Sequence, residues 1–294
     1  MLRSFGEILD NPTARPPSLV GSGLLDAGSK VIIGGPEKAG KSLLATQLAI
    51  CLATGQPWLG FKVPTAMPVL YVQLEISQPR LEERLLKQGK RSASELRNSL
   101  FTYTDFGFSL NGANEAKLTA MLQSTKAKVL ILDPLYFLHD GDANSETDMA
   151  KLVRKLNGYL DLVSALVVVA HHSKDTQDLR LRRPGQRISG SAVLTRWPDA
   201  IFTLEARDPT ERAKLEFTLR NAEAPPKMDL RLNAALMFEE NSVETVVDGM
   251  TAEEYAKEYE ITVSAARTTL GRYTKEGRLT AVESKGVTKY FGKG

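Results

Sequence analysis

A glycine-rich run in the first quarter of the chain has the residue types that bind phosphate. Gly35, Gly40, Lys41 and Ser42 follow the spacing G-x-x-x-x-G-K-S, which is the P-loop pattern. The backbone N–H groups of such a loop form an anion nest, and the following helix adds the partial positive charge of its N-terminus. Lys41 can reach β- and γ-phosphates, and the Ser42 hydroxyl can bind Mg²⁺. We therefore predict a nucleoside triphosphate site contacted by Gly35, Pro36, Glu37, Lys38, Ala39, Gly40, Lys41, Ser42 and Leu43.

Two carboxylates follow apolar runs farther along the chain. Asp133 ends the run VLILD, and Glu75 ends VLYVQLE. We expect Asp133 to hold Mg²⁺ through water and to complete the cation site begun by Ser42. We expect Glu75 to accept a proton from the water that attacks the γ-phosphate. This role assumes that its strand lies next to the P-loop strand, and the alternative is a surface glutamate at a strand end.

Adjacent histidines, His171 and His172, follow the apolar run 166–170. Neighbouring strand residues point to opposite sides, and no Cys or acidic cluster supplies further ligands, so the pattern does not favour zinc. We predict instead that His172 contacts the γ-phosphate and reports its presence to the basic run 174–187. His171 is expected to be packed or exposed.

These residues share a position in the predicted fold, because each follows a short apolar run and helical patterns separate the runs. Such alternation is typical of a mostly parallel sheet with helices on both faces. Ligands bind at the carboxyl ends of strands in sheets of this kind. The fold would therefore bring the P-loop, Glu75, Asp133 and His172 to one edge. Later runs at 200–205, 214–219 and 228–232 alternate in polarity and predict antiparallel hairpins at the sheet edge.

The sequence divides into three predicted parts. Residues 1–30 contain several prolines and predict an arm without regular structure, and 31–240 hold the α/β domain. Residues 245–294 predict a winged helix-turn-helix domain from the order helix, turn, helix, hairpin. From residue 262 onward the sequence has seven basic and two acidic residues. This excess of positive charge favours DNA binding. The alternatives are a protein-binding module and a solvated helical face.

Composition limits the class of protein. The 294-residue chain is 42% hydrophobic and 25% charged, which is typical of a globular protein with a substantial core. No apolar run approaches the roughly 20 residues of a membrane span, and the N-terminus lacks a leader pattern, so we expect a cytoplasmic protein without membrane contact. The formal charge of +3 is too small to establish a nucleic-acid partner.

Five segments in this order resemble the RecA-like ATPases of plasmid and phage replication, particularly the RepA-type hexameric helicases. They are GPEKAGKS, VLYVQLE, VLILDP, VVVAHHSK and SGSAVLTRW, and the resemblance covers about residues 18–235. It implies a RecA-like fold, ATP and Mg²⁺ as ligands, and ATP hydrolysis at subunit interfaces of a ring, with a hexamer as the expected assembly. The C-terminal winged helix is not part of this pattern.

The resemblance also implies residue roles. Lys41 and Ser42 would bind nucleotide and metal, Glu75 would be the catalytic base, Asp133 would serve the metal and His172 would sense the γ-phosphate. Arg196, in the TRW segment, matches an arginine finger that reaches the neighbouring subunit's site. Arg207 and Arg220 are the other candidates for the arginine finger. The alternative for Arg196 is a surface arginine without a catalytic role.

The leading hypothesis is therefore a ring-forming ATP hydrolase and DNA helicase that moves on DNA. Single-stranded DNA would be gripped in the channel by 174–187 in preference to the acidic loop 139–146, and duplex could bind the winged helix. The alternatives are an ATP-switched DNA-binding regulator or helicase loader without unwinding activity, and a recombinase-like filament. A small-molecule kinase is disfavoured because the sequence shows no arginine-rich lid.

Overall fold

The predicted apolar runs form one central sheet. The computed structural model describes residues 2–21, 23–172, 192–240, 249–258, 262–275, 279–284 and 286–292. The strands of the sheet are β3 (Ser29–Gly35), β4 (Val69–Gln73), β5 (Leu100–Thr104), β6 (Val129–Asp133), β7 (Ala165–His171), β8 (Ala200–Leu204), β9 (Arg212–Leu219), β10 (Met228–Leu232) and β11 (Phe238–Glu240); a separate antiparallel pair comprises β1 (Ser18–Val20) and β2 (Leu25–Asp26).

The strand order is β11-β10-β9-β8-β3-β7-β6-β4-β5. All pairs from β8 to β5 are parallel, whereas β8–β9, β9–β10 and β10–β11 are antiparallel. The mixed α/β class with a mostly parallel sheet is confirmed. The later strands do form antiparallel hairpins, but β8 also pairs in parallel with the P-loop strand β3.

One expectation about strand order is wrong. The strand that precedes Glu75, β4, does not neighbour β3, because β7 and β6 lie between them. Each crossover helix can carry the chain past a strand position that a later strand fills. The local pattern of a strand contains no information about this order.

Helices cover both faces of the sheet. Among the described residues they are α1 (Phe5–Asp10), α2 (Lys41–Thr54), α3 (Gln78–Gly89), α4 (Ala93–Leu96), α5 (Gly112–Thr125), α6 (Glu146–Gly158), α7 (Ala192–Arg196), α8 (Ala252–Glu258) and α9 (Val263–Lys275). The P-loop helix α2 ends at Thr54, where Gly55 caps it in the left-handed conformation at φ 74°.

Successive residues of each strand enter two different apolar cores. Ile33 and Val167 pack with α2 on one face, while Ile32 and Val168 pack with α5 and α6 on the other. This alternation is the two-residue period of a strand, and both sets are apolar because both faces are covered. The sheet is thus buried on both sides and gives its carboxyl edge a rigid base.

The N-terminal segment differs from the prediction of an arm without regular structure. It contains α1, β1 and β2, and β3 already begins at Ser29. Val20 and Leu25 are almost fully buried in the core that contains α2. The strands β1 and β2 are too short to show the alternation of polar and apolar residues that identifies a strand, and the prolines around them indicated irregular structure.

The C-terminal residues form a second small core. Strands β12 (Met250–Thr251), β13 (Leu279–Ser284) and β14 (Val287–Gly292) make an antiparallel sheet in the order β12-β14-β13. Leu270 and Leu279 are central to its buried cluster with α8 and α9. An ion pair of 2.9 Å joins Lys214 on β9 to Glu258 on α8. The division at 245 stays a prediction.

Within the described residues, no helix combines the length and apolar character that a bilayer crossing requires.

Candidate active site

The carboxyl ends of the parallel strands surround a cavity of about 820 Å³. Gly35 ends β3, Asp133 ends β6 and His171 ends β7. The cavity is lined by six of the nine predicted nucleotide contacts together with both carboxylates and both histidines; these residues are Glu37, Lys38, Gly40, Lys41, Ser42, Leu43, Glu75, Asp133, His171 and His172. The structure thus brings together residues from four separate segments, in a volume that suits a small-molecule ligand.

The P-loop turns around Lys41. Gly40 caps α2 with φ 99°, a left-handed conformation that favours glycine. The Lys41 Nζ donates to the Pro36 carbonyl at 2.7 Å and lies 3.4 Å from Nδ1 of His171. Burial lowers the pKa of Lys41, whereas attraction from Asp133, Glu75 and Glu37 opposes the shift. Lys41 is therefore a buried amine that an anion in the cavity would stabilise in its charged form.

The three predicted nucleotide contacts that do not line the cavity are Gly35, Pro36 and Ala39. Ala39 is fully buried, and Gly35 accepts a hydrogen bond of 3.0 Å from the His172 N–H.

Asp133 is buried and held by two side chains of the neighbouring strand β4. The Tyr71 hydroxyl and the Gln73 Nε2 both donate to its Oδ2, at 2.5 and 3.1 Å. Its Oδ1 is buried and has no hydrogen-bond partner in the described part of the chain. Burial raises the pKa of Asp133, and donation from Tyr71 and from the nearby Ser42 hydroxyl opposes the shift.

These features fit a divalent cation. One carboxylate oxygen lacks a partner, a hydroxyl lies nearby, and the cavity leaves room for phosphate oxygens and water, which is the ligand set that Mg²⁺ prefers. Ser42 and Asp133 would hold the ion. No group of three or more His, Cys, Asp or Glu residues suited to a metal occurs in the described ranges.

Glu75 lies two residues beyond the end of β4 and is exposed at the cavity wall. Its N–H donates to the Gln73 Oε1 at 2.7 Å. Gln73 is itself 1% exposed, so one buried amide connects the backbone of Glu75 to the carboxylate of Asp133. The structure therefore places Glu75 at the cavity although its strand is not adjacent to β3.

Both histidines line the cavity. His171 lies beside Lys41, with its Nδ1 3.4 Å from the Lys41 Nζ, and the sensor role of His172 stays a prediction. Burial and the nearby charge of Lys41 lower the pKa of His171. A neutral His171 can accept a hydrogen bond from Lys41.

The three arginines considered as fingers occupy different places. Arg207 lines the cavity of its own chain, with Nη2 donating to the Lys38 carbonyl at 3.2 Å and a hydrogen-bonded ion pair to Glu211. Arg220 donates to the Arg196 carbonyl. Arg196 is exposed at the end of α7, and it is not among the residues that line the cavity. The basic run 174–187 lies outside the described residues.

Sequence reasoning missed several residues of the cavity. Arg84 on α3 adds a cation, and Tyr136 and Phe137 place two aromatic rings on its wall, 63% and 37% exposed. Arg84 lies on a helix, and the two aromatic residues lie on a short 3₁₀ turn that begins two residues after the end of β6. Arg84 falls in a recognised helical pattern, but nothing in that pattern indicates which face meets the site.

A family model described as an AAA domain matches residues 2–178. The chain belongs to this family. Membership places it among the P-loop ATPases, so the predicted ATP-hydrolase class is supported. Helicase activity, ring formation and the winged helix are finer statements that the match does not reach. No match was found among curated proteins.

Solved structures resemble the chain at low identity. The KaiC-like protein PH0186 from the hyperthermophilic archaeon Pyrococcus horikoshii OT3 has a TM-score of 0.54 and 14% identity, covering 78% of this chain and all of that one. The RadB recombinase has a TM-score of 0.52 and 17% identity, covering 73% of this chain and 91% of that one. These similarities confirm the RecA-like fold of the AAA domain protein.

Proposed function

We propose that this AAA domain protein is an ATP-dependent, ring-forming DNA motor that hydrolyses ATP at subunit interfaces. The observation that supports ATP hydrolysis best is the convergence of Lys41, Ser42, Glu75 and Asp133 on one cavity. These residue types cover the needs of phosphoryl transfer: phosphate binding, metal binding and a base for the attacking water.

Each residue has a proposed task. The P-loop and Lys41 bind the β- and γ-phosphates, and Ser42 and Asp133 hold Mg²⁺, which when bound neutralises charge on the phosphate oxygens. Glu75 accepts the proton of the attacking water. His172 senses the γ-phosphate, and the contact of His171 with Lys41 makes it a second residue able to respond when phosphate draws Lys41 away.

A neighbouring subunit would supply the finger. Arg207 is engaged with the P-loop of its own chain, and Arg220 pairs with residues near α7. Arg196 and Arg220 are both exposed, but Arg220 is ion-paired with Asp199 of its own chain, which favours Arg196 as the arginine that reaches another protomer. We propose a hexamer as the assembly.

DNA is the proposed partner of this motor. Lys275 on α9 and Lys289 on β14 are exposed on the C-terminal module, whereas Arg267 is paired with Glu253 at 2.8 Å. Phosphate contacts from such residues would bind duplex through a winged helix. The proposal that single-stranded DNA binds in a channel depends on residues 174–187, which lie outside the described residues. It therefore stays a proposal from the sequence.

Two variants test the hydrolysis step. Lys41→Ala should weaken nucleotide binding, whereas Glu75→Gln should bind ATP normally and lose turnover. Binding of a fluorescent ATP analogue and phosphate release measure the two effects separately. Normal hydrolysis by Glu75→Gln would contradict its role as base.

A second experiment separates the motor from its alternatives. Purified protein is mixed with a forked DNA substrate and ATP, with Glu75→Gln as the control without turnover. Hydrolysis-dependent strand separation supports the motor, and ATPase activity without it supports the regulator or loader. Electron microscopy with an ATP analogue, with and without single-stranded DNA, distinguishes rings from filaments; filaments with strand exchange would favour a recombinase.

A further inference from the structure

The P-loop is supported from outside by residues that follow the matched AAA domain segment in the chain. A β-carbon added to Gly35 would collide with the Leu204 carbonyl oxygen at the end of β8. Arg207 donates to the carbonyl of Lys38. A β-carbon added to Gly40 would lie 2.8 Å from Cζ of Phe238 on β11. Three positions of the loop therefore abut the second half of the sheet.

Phe238 packs on the loop while its own backbone is held by α2. Its ring is 1% exposed and lies against Gly40, the residue that turns the loop into α2. The backbone of Phe238 is fixed by Gln47, whose Nε2 donates to the Phe238 carbonyl and whose Oε1 accepts from its N–H, both at 2.8 Å. Gln47 is 4% exposed and belongs to α2. The P-loop helix thus holds the residue that packs on the P-loop.

A second buried amide strengthens this attachment. The Gln88 Nε2 donates to the Leu236 carbonyl at 2.6 Å and to the Leu43 carbonyl at 3.1 Å. It joins the turn before β11 to the first turn of α2. The start of α2 and the entry to β11 are therefore tied at two places, Gln47 and Gln88.

This arrangement matters because phosphate binding depends on the direction of the loop's N–H groups. Gly40 is at φ 99°, where glycine can adopt many neighbouring conformations. A flat ring against its Cα removes part of that freedom before a ligand arrives. Preorganisation of this kind raises affinity because the ordering cost is already met in the free protein.

We propose that Phe238, held by Gln47, is a positioning residue for the phosphate-binding loop. This inference rests on the proposed nucleotide site but adds a role that the P-loop pattern does not contain. Phe238 does not line the cavity; it acts through Gly40. Its role is to keep the loop N–H groups aligned for the triphosphate.

The test compares Phe238→Leu with the matched control Phe217→Leu in the full-length protein. Phe217 lies on β9 of the same sheet and is 4% exposed. Its ring contacts in the described part of the chain are with Phe61 and Phe202, not with residues of the loop. Thermal unfolding, the Kd for a fluorescent ATP analogue, and KM and kcat for hydrolysis are measured for each. A third variant, Gln47→Met, removes the amide that fixes Phe238 while keeping a side chain of similar length.

We expect similar losses of thermal stability for the two phenylalanine variants. Phe238→Leu and Gln47→Met should raise Kd and KM about tenfold, the scale of one weakened hydrogen bond to a charged group. Phe217→Leu should leave both constants unchanged, since a smaller folded fraction lowers apparent kcat without changing KM. Unchanged Kd and KM in folded Phe238→Leu and Gln47→Met would overturn the inference. Failure of the wild type to bind the analogue would instead contradict the proposed function.

Discussion

Replacing Gln73 with leucine should separate the two carboxylates of the site. Gln73 donates to Asp133 and accepts from the Glu75 N–H, so it fixes a metal ligand and the proposed base with one side chain. Leucine occupies a comparable space in the buried strand but offers neither hydrogen bond. In the variant, Asp133 Oδ2 keeps the hydrogen bond from Tyr71 but loses the one from Gln73.

The structure sets the size of the expected effect. Losing a hydrogen bond to a charged group costs about 1.5–3 kcal/mol, and Gln73→Leu should destabilise the protein by about that amount. Because Glu75 is exposed, its N–H can form a hydrogen bond with water when Gln73 is absent. Loss of the Glu75–Gln73 hydrogen bond therefore adds little to the loss of folding stability. Its loss frees the Glu75 backbone instead, and a displacement of about 1 Å can cost roughly 100-fold in rate. We therefore expect kcat to fall by about 100-fold.

Thermal or urea unfolding gives the stability change, and steady-state phosphate release gives kcat and KM. Leu118→Ala is a suitable control, because Leu118 is fully buried on α5 and its truncation costs about 2–5 kcal/mol without touching the cavity. A Gln73→Leu protein that loses stability but retains turnover within about twofold would refute the coupling between the two carboxylates.

The remaining predictions concern protonation, assembly and DNA. Tyr71→Phe removes a donor that lowers the pKa of Asp133, so the pKa rises and Mg²⁺-dependent nucleotide binding should be lost at a higher pH on acidification than in the wild type; an unchanged pH profile of Mg²⁺ affinity would contradict this. Mixing Arg196→Ala with Lys41→Ala subunits should restore part of the ATPase activity if the finger acts across an interface, and no recovery at any mixing ratio counts against Arg196. Deleting residues 245–294 should leave ATPase activity but reduce DNA affinity, with a weaker salt dependence in filter-binding or anisotropy titrations; undiminished affinity would remove the C-terminal module from DNA binding.

Local signals predicted the elements of this fold well. The runs that became β4, β6 and β7 are continuous apolar segments, and the helix expected directly after the P-loop is α2. Strand order was less accessible. The assumed adjacency of β4 and β3 was wrong because order depends on how crossovers pack in three dimensions. Glu75 nevertheless reaches the cavity, since all parallel strands end on the same edge.

The residues that support the site could not be predicted from the sequence, for a different reason. Tyr71 and Gln73 read as ordinary members of a buried strand, and only the pairing of Gln73 with Asp133 across β4 and β6 shows their role. Phe238 lies more than 190 positions from Gly40 in sequence, and nothing near either residue indicates the contact. Without a map of distant pairings, a sequence shows the chemical groups of a site but not what holds them.

The position of β8 has a practical consequence for anyone dissecting this protein. A fragment ending at residue 178 would include the P-loop, both carboxylates and both histidines, yet it would lack the strand that hydrogen-bonds to the open side of β3. The exposed margin of β3 would then offer unpaired backbone groups to other molecules, a common route to aggregation. Expression of the nucleotide-binding unit should therefore extend at least through Glu240.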